Sequence, residues 1–430
     1  MKNVNLVKNL TASLKAALLG YLVFGPITGL VLNGYSYISY PSRPLYIALA
    51  IFVLRFVFGF FEEDFASRGM NPSVEVGESK IFKILDTKFK KVLALFVFTA
   101  FFLALPFFVG KYVLTVMITA LIYVLLGLGL NIVVGFAGLL DLGFVAFYAV
   151  GAYGYALGYE YLGVGFWGAI PFAAATAGIF GAILGFPVLR MHGDYLAIVT
   201  LGFGEIIRLV LTNWIDFTGG PNGIKAPYIN FFGVEFTRRA KHGGTPFHEL
   251  MGIEYDSIYR YIALYSILFL FVVFMTYAVS KVKNLSIGRA WEALREDEIA
   301  CRSLGINHVV VKLSAFSMGA AIGGVSGVFF AAYQGFINPT SFTFFESALI
   351  LAIVVLGGLG SIPGVIFASI VLTVMPEMLR EVGEYRVLMF GILMVVMMIV
   401  KPRGLLTVRR PDYSKSDYRN SKKLGAKESV

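Results

Sequence analysis

The sequence predicts an all-α, polytopic integral membrane protein with about 11 to 12 transmembrane helices, some of them broken by glycine. Of its 430 residues, 58% are hydrophobic and only 14% are charged, and the mean hydropathy is +0.78. A soluble chain of this length would carry about a quarter charged residues. Apolar runs long enough to cross a bilayer recur along the whole chain. These observations exclude an ordinary soluble enzyme.

The net charge of +10 does not indicate a nucleic-acid partner. The basic residues lie mostly in loops and tails beside apolar runs, where they orient spans in the membrane and meet lipid. Cys301 is the one cysteine, so an intramolecular disulfide and a multi-cysteine metal site are both excluded. We therefore expect no metal site in this chain.

Residues 1–91 are predicted to form an N-terminal extension of two spans followed by a cytoplasmic loop. An apolar run within 1–34 follows several lysines and lacks a clear cleavage site, which favours an uncleaved span over a signal peptide. A second span covers roughly 45–61. The segment 62–91 is rich in lysine and arginine, which places it in the cytoplasm.

The core is predicted to cover residues 92–408, and a basic cytoplasmic tail follows at 409–430. Alternation of spans places both termini in the cytoplasm. Two longer polar stretches interrupt the core, a loop at 214–258 on the outside and a segment at 281–312 in the cytoplasm. The predicted core spans are about 92–109, 113–134, 141–158, 167–188, 195–213, 260–280, 313–334, 344–357, 365–378 and 386–400.

The outer loop contains the turn-forming run Gly219, Gly220, Pro221 and Asn222. It also carries several basic residues, and a simple count of positive charges would place such a loop in the cytoplasm. We nevertheless place this loop outside, because three other basic segments agree on the opposite orientation: the loop 62–91, the segment 281–312 and the tail.

The segment 281–312 is longer than any hairpin turn requires. Ser286 is suited to cap a helix N-terminus and Gly305 to end one. Glu298 and Arg302 are four residues apart with the acid first, the favourable order for a surface pair. We therefore predict a helical segment at an aqueous membrane face. It is either a connector that lies on its own protein or a docking helix for a soluble partner.

Three apolar residues of this segment, Trp291, Leu294 and Leu304, are available to bury against a neighbouring surface. That surface is the chain itself in the first case and a partner in the second.

Two glycine-rich interruptions occur at similar depths in the core, one after Asn131 and the other at 357–364. Paired interruptions in a transporter predict broken helices whose free backbone groups line a pathway. Close helix packing at small residues is the alternative. The candidate pathway residues are Asn131, Gly135, Gly138, Asp141, Glu205, Gly357 and Gly360.

Ionisable residues within spans are costly, so each needs a partner or an aqueous surface. Asp141 follows the first interruption, and Glu205 and Arg208 lie three apart where they can pair. These residues either form structural pairs or contact the substrate.

Several motifs are missing from the sequence. It contains no G-x-x-x-x-G-K-[ST] phosphate loop, so another subunit must hydrolyse ATP if transport is ATP-driven. It also lacks H-E-x-x-H and G-x-S-x-G, and its four histidines are scattered. A membrane enzyme therefore has little support. A stand-alone ion-coupled carrier would need a relay of buried carboxylates, for which Asp141 and Glu205 are too few.

The run GRAWEALREDEIACRSLGIN resembles the cytoplasmic signature loop of ABC-importer permeases, in the form found in branched-chain amino acid permeases of the LivM type. Gly305 fits the general motif. The triplet Ile299-Ala300-Cys301 and the acid at Glu298 depart from the usual Glu-Ala-Ala. Residues from about 90 to 408 are similar to the same family, including TGGPNGI and SFTFFESALILAIVVLGGLGS.

The resemblance implies a permease subunit, not an enzyme, in a bacterial inner (plasma) membrane. It implies a second related permease, two cytoplasmic ATPases that hold ATP and Mg²⁺, and a periplasmic protein that delivers leucine, isoleucine or valine. No cofactor is expected in this chain. The helix Glu292–Gly305 would couple to the ATPases, and the run at 219–222 would face the binding protein. The residues expected to couple are Arg295, Asp297, Glu298, Arg302 and Gly305.

Overall fold

The structure, a computed structural model, describes most of the core. The described residues are 102–188, 191, 193–231, 234–236, 245–252 and 254–378, the strands at 30–33 and 36–39, and the single positions 14, 18, 99, 391 and 395. Apart from these short pieces, the predicted spans within 1–34, at 45–61 and at 386–400 lie outside the described residues. The predicted loop 62–91 and the tail 409–430 lie outside them entirely.

Helices make up nearly all of the described core. They are α1 (Lys111–Leu130), α2 (Val145–Leu162), α3 (Phe166–Val188), α4 (Asp194–Asn213), α5 (Ile215–Thr218), α6 (Phe247–Met251), α7 (Ile258–Lys283), α8 (Ser286–Glu296), α9 (Glu298–Ser303), α10 (His308–Gln334), α11 (Phe344–Gly357) and α12 (Ile362–Met378). A π-helical segment, Asn131–Phe136, continues α1, and short 3-10 turns lie at Leu105–Phe107, Gly220–Asn222 and Pro339–Ser341.

Six stretches of the described chain are long and apolar enough to cross a membrane by length and composition. This confirms the predicted all-α membrane fold. The six are Lys111–Phe136, Phe166–Phe186, Tyr195–Asn213, Ile258–Lys283, His308–Gln334 and Pro339–Gly357.

The described strands are short, at two to four residues each. β1 (Leu30–Asn33) and β2 (Ser36–Ser39) pair antiparallel as a hairpin. β3 (Ile224–Lys225) pairs antiparallel with β7 (Phe336–Ile337), so Ile224 lies opposite Ile337. β4 (Asn230–Phe231), β5 (Val234–Glu235) and β6 (Thr245–Pro246) form a small mixed sheet. Strands β3 to β7 lie between predicted core spans, whereas β1 lies within 1–34, the segment predicted to contain the first span.

Several predicted span boundaries were wrong by a few residues. For example, α10 begins at His308, five residues before the predicted start at 313. α2 begins at Val145, four residues after the predicted start at 141, because residues 137–144 are not helical. The run 357–364 was predicted to be non-helical throughout, but α12 begins at Ile362. Pro363 therefore occupies the first turn of that helix, where its missing N–H leaves no intrahelical hydrogen bond unmade.

Helix α10 is the most buried of the six spans and forms the centre of the core. Glycines bring its neighbours close. A Cβ on Gly151 of α2 would lie 1.9 Å from the carbonyl oxygen of Gly324 on α10. A Cβ on Gly129 of α1 would lie 2.9 Å from the carbonyl oxygen of Gly319 on α10. Without side chains at these points the helix backbones pack directly against each other.

The long loop (residues 214–258) and the polar segment (residues 281–312) lie at opposite ends of α1. At the start of α1, the Lys111 Nζ donates a hydrogen bond to the Ser257 Oγ at 3.2 Å. Beyond its end, Gly138 packs against the side chain of Arg295 in the polar segment. We call these the long-loop end and the polar-segment end.

Candidate functional site

The polar segment consists of two helices rather than the single helix predicted over Glu292–Gly305. Asp297 separates α8 from α9, and its backbone is extended at φ −158° and ψ 111°. The Asp297 carboxylate accepts hydrogen bonds from the backbone N–H groups of Ile299 and Ala300, at 2.8 and 3.0 Å. Asp297 is therefore the N-cap of α9. Ser286 does not cap α8, because the helix begins at that residue and Leu285 takes the cap position.

Helix α8 is fixed to the core by a buried tryptophan. Trp291 is 1% exposed, and its indole N–H donates to the Val311 carbonyl oxygen at 3.2 Å and to the Ser314 Oγ at 3.0 Å. Leu294 is buried beside it. A buried indole whose N–H is satisfied gives both apolar contact and a fixed orientation. The polar segment thus lies partly on its own protein.

Helix α9 is held by a three-membered ionic cluster. The Glu298 carboxylate contacts the Arg302 guanidinium at 2.6 Å and the Lys312 ammonium at 2.8 Å. The predicted Glu298–Arg302 pair is confirmed. Lys312 lies in α10 and is 1% exposed, so Glu298 neutralises a buried charge. Partial burial raises the pKa of Glu298, but the hydrogen bonds and charges of Lys312 and Arg302 outweigh it and hold the pKa below its usual range.

Gly305 ends α9 in a Schellman motif. Its φ is +78°, its N–H donates to the Arg302 carbonyl oxygen at 3.1 Å, and the Ile306 N–H donates to the Cys301 carbonyl oxygen at 3.0 Å. Leu304, which was available for burial, is 80% exposed, and Ile299 is 77% exposed. Helix α9 and its C-cap residue therefore present two apolar side chains outward, as a docking surface would.

The two glycine-rich interruptions meet each other. The Asn131 side-chain oxygen, in the π-helical segment after α1, accepts a hydrogen bond from the Gly360 N–H at 2.9 Å. Gly135 lies between them, and a Cβ there would lie 2.0 Å from that oxygen and 2.7 Å from the Gly360 nitrogen. Close packing therefore requires glycine at position 135.

Arg295 of α8 reaches this contact from the polar segment. Its guanidinium donates a short hydrogen bond to the Gly135 carbonyl oxygen. The stem of the same side chain covers Gly138, where φ is +73° and a Cβ would lie 2.7 Å from the Arg295 Cγ. A residue predicted to couple and residues predicted to line the pathway are thus in direct contact.

Lys283, at the end of α7, completes the cluster. Its ammonium lies 3.4 Å from the Gly360 carbonyl oxygen, 5.1 Å from the centre of the Phe136 ring and 3.6 Å from the Glu292 carboxylate. We call Asn131, Gly135, Gly138, Lys283, Arg295 and Gly360 the break junction. It joins the polar segment to both interruptions.

Gly357 lies outside the break junction, although it belongs to the same interruption as Gly360. A Cβ on Gly357 would lie 2.7 Å from the Gly364 backbone, so this glycine permits a tight turn between α11 and α12. The φ values of Gly358 and Gly360, +105° and +82°, complete that turn.

Asp141 is also separate from the break junction. It is fully buried in the non-helical segment 137–144, and its carboxylate accepts a hydrogen bond from the Gly143 N–H at 2.8 Å. The Thr200 hydroxyl of α4 accepts a hydrogen bond from the backbone N–H of the neighbouring Leu142 at 3.0 Å. Asp141 thus organises the approach to α2, and no charged partner for it is seen among the described residues.

Glu205 and Arg208 pair as the spacing predicts. The Arg208 Nε donates to the Glu205 Oε2 at 2.8 Å, and the two side chains are 34% and 32% exposed. They lie on α4, apart from the break junction. No other side-chain partner for either is seen in the described part of the chain.

The run at 219–222 forms a tight turn at the long-loop end, as predicted. Gly219 and Gly220 have φ of +71° and +55°, and Pro221 and Asn222 are exposed. A Cβ on the following Gly223 would lie 2.2 Å from the Ile337 carbonyl oxygen, so the turn is pressed against the strand that pairs with β3.

Sequence reasoning missed Lys283 and Lys312. Both lie within the polar segment, in the end turns of spanning helices, where lysine is ordinarily an orientation signal. The sequence separates Lys312 from Glu298 by fourteen positions, so helix periodicity alone does not bring them together.

Comparison with known proteins identifies the family. A family model described as "Branched-chain amino acid transport system / permease component" matches residues 112–400. The permease protein LivM of the high-affinity branched-chain amino acid transport system of Escherichia coli (strain K12) is 53% identical over 310 residues. The match covers 72% of this chain and 73% of that protein.

More distant relatives follow. LivH, a permease protein of the same named system in that strain, is 25% identical over 307 residues, which are 68% of this chain and 93% of LivH. A probable LivM of Methanocaldococcus jannaschii is 26% identical over 55% of this chain and 67% of its own length. No solved structure matches this chain. The chain belongs to the family of permease components of branched-chain amino acid transport systems.

Proposed function

We propose that this chain is the transmembrane permease subunit of an ATP-driven importer of the branched-chain amino acids leucine, isoleucine and valine. The family match over residues 112–400 carries the proposal, because it spans both interruptions and the polar segment. The chain is a multi-pass membrane protein. We place it in a bacterial inner membrane with both termini in the cytoplasm.

A second permease subunit completes the translocation unit. This chain is similar to both LivM and LivH, two permease proteins of one named system. Two related permeases in one system support a paired arrangement with the substrate path between them.

Two cytoplasmic ATPase subunits would bind ATP and Mg²⁺, and one of them would dock on α9 of this chain. The exposed Ile299 and Leu304 suit contact with a soluble protein. Asp297 and Glu298 would act by holding α9 in place, since one caps the helix and the other neutralises Lys312. Arg302 and Gly305 would act in the same way, through the ionic cluster and the helix end.

Movement of α8 and α9 would reach the substrate path through Arg295. Its hydrogen bond to Gly135 and its contact with Gly138 join α8 to the first interruption. The hydrogen bond from the Gly360 N–H to Asn131 joins the first interruption to the second. ATP-driven closure of the ATPases would therefore shift both interruptions together.

At the other face, a periplasmic binding protein would deliver the amino acid to the long-loop end. The exposed turn at Pro221 and Asn222 lies beside the β3–β7 pair, and an exposed turn on a paired strand suits a docking surface.

Purification from native membranes tests the proposal. The chain would be isolated in mild detergent, its companions identified by mass spectrometry, and the complex reconstituted for uptake of radiolabelled leucine. We expect two ATPases with phosphate-loop sequences, a second permease, and uptake that requires ATP and the binding protein. A chain recovered alone while other complexes of the membrane stay intact, or uptake driven by an ion gradient without ATP, would contradict it.

A further inference from the structure

The Glu205–Arg208 pair lies on an open face of α4. Helix α4 is the least buried of the six candidate spans. Its exposed residues recur at helical spacing, so they share one face. Ile198, Ile206 and Leu209 are 66%, 58% and 50% exposed.

A charged pair does not belong against lipid. Both side chains are about one-third exposed within an otherwise apolar span. Ionisable residues inside a membrane face a bundle interior or an aqueous cavity, because exposure to hydrocarbon is costly. The described residues leave this face of α4 open, and the charged pair indicates that a protein surface or the substrate path lies against it, and not lipid alone.

Gly202 leaves a recess on the same face. It lies three residues before Glu205 and four before Ile206, which places it one helical turn away from both. A Cβ at this position would meet nothing within 4 Å. Packing therefore does not explain this glycine, unlike Gly135 or Gly151. Glu205 and Ile206 lie one turn from this recess, and Arg208 is joined to Glu205 by the ion pair.

These groups match the parts of a zwitterionic aliphatic amino acid. Its ammonium suits the Glu205 carboxylate, its carboxylate suits the planar Arg208 guanidinium, and its branched side chain suits Ile206 and Leu209. The two protein charges pair with each other in this structure, so the ligand would exchange one internal ion pair for two contacts of its own. The net charge of the surface stays the same throughout.

We propose that Glu205, Arg208 and the recess at Gly202 form a binding site for the zwitterionic amino acid within the translocation path. The site rests on the proposed function and deepens it. It also places the open face of α4 toward the second permease, across the path.

The test replaces the pair in the complete transporter, reconstituted with its partner subunits and saturating binding protein. Glu205→Leu combined with Arg208→Leu removes both charges, and such a replacement of an ion pair is commonly neutral for stability. We expect assembly and binding-protein-stimulated ATP hydrolysis to persist while leucine uptake falls at least about tenfold. Glu205→Gln alone, with Arg208 retained, should also reduce leucine uptake.

A matched pair of variants tests the aliphatic part of the site. Ile206 on α4 and Ile183 on α3 are both 58% exposed. Ile206→Ala should raise the KM for leucine uptake severalfold, whereas Ile183→Ala should leave it unchanged.

Three outcomes would overturn the proposal: parental uptake by the double variant, loss of assembly on replacing the pair, or equal effects of the two alanine variants. The proposed function has its own criterion. If the unmodified transporter imports no branched-chain amino acid, that function fails. If it imports leucine and the double variant imports it equally well, only the site fails.

Discussion

Arg295 and Arg208 are both half-buried, but their guanidinium groups contact different things. Arg295 donates to the carbonyl of Gly135, 160 positions away in the sequence, and so joins two separate segments. Arg208 pairs with a carboxylate one helical turn away on its own helix. A charge that joins segments suits transmission of movement. A self-contained pair on an open face can exchange its partner for a ligand without disturbing the fold.

Removing the Arg295 side chain should have the largest effect on transport. Arg295→Ala leaves the buried Gly135 carbonyl without this donor, at a cost of about 1–3 kcal/mol. We expect the initial rate of leucine uptake per assembled transporter to fall about tenfold or more. Arg289→Ala is the control, because that exposed side chain of the same helix α8 does not belong to the break junction. Equal losses in both variants would remove the distinction between the junction and its surroundings.

A methyl group at Gly135 should disturb the break junction from within. Gly135→Ala forces the Asn131 side chain and the Gly360 backbone apart, and overpacking of this kind costs about 1–3 kcal/mol. We expect a lower melting temperature of the purified complex. Gly165→Ala provides the comparison, because a Cβ there would meet nothing within 4 Å. A melting temperature unaffected by Gly135→Ala would show that the interruptions are not in tight contact.

In the ionic cluster at Glu298, replacing Glu298 should destabilise the protein more than replacing Lys312. Glu298→Gln leaves the buried Lys312 without its carboxylate, which costs up to about 3–5 kcal/mol. Lys312→Met leaves Glu298 paired with the exposed Arg302 and should cost less. Denaturation of the complex would measure both. A larger loss from Lys312→Met would contradict the assignment of Lys312 as the dependent partner.

The smallest expected effect is a pH dependence. The folded-state pKa of Glu298 is lowered, so its stabilising contribution is complete above the ordinary glutamate value of about 4.3. The contribution is lost as the pH falls through the lowered value. The difference in melting temperature between the parent and Glu298→Gln should be constant from about pH 6 to 8 and shrink towards pH 4. A difference that already shrinks near neutral pH would contradict this.

The sequence was sufficient for the membrane fold and for most of the core helices. Apolar runs long enough to cross a bilayer, such as those of α7 and α10, directly indicate membrane-spanning helices. Boundaries failed where a local interaction overrode composition. Asp297 breaks the polar segment because its side chain caps α9, and Pro363 joins α12 because proline is tolerated in a first turn.

The break junction was beyond sequence reasoning for a different reason. Its residues were mostly named in advance, but in two separate groups. Their meeting depends on contacts between α8, the end of α1 and the turn before α12, which lie far apart in the chain. Local pattern carries no information about which segments meet. The Glu205–Arg208 pair was predicted because both residues lie on one helix.

The central claim is that ATP-driven movement of the polar segment reaches the interruptions through Arg295. Leu359 is 44% exposed in the second interruption, and Cys301 is the only native cysteine. In a Cys301→Ser background, Leu359→Cys would report through its rate of maleimide labelling, read on this chain by mass spectrometry. The rate would be compared between the nucleotide-free complex and the complex trapped with ATP and vanadate.

We predict that trapping changes the labelling rate in the parent and in Arg289→Ala but not in Arg295→Ala. An equal change in the presence and absence of the Arg295 side chain would contradict the account.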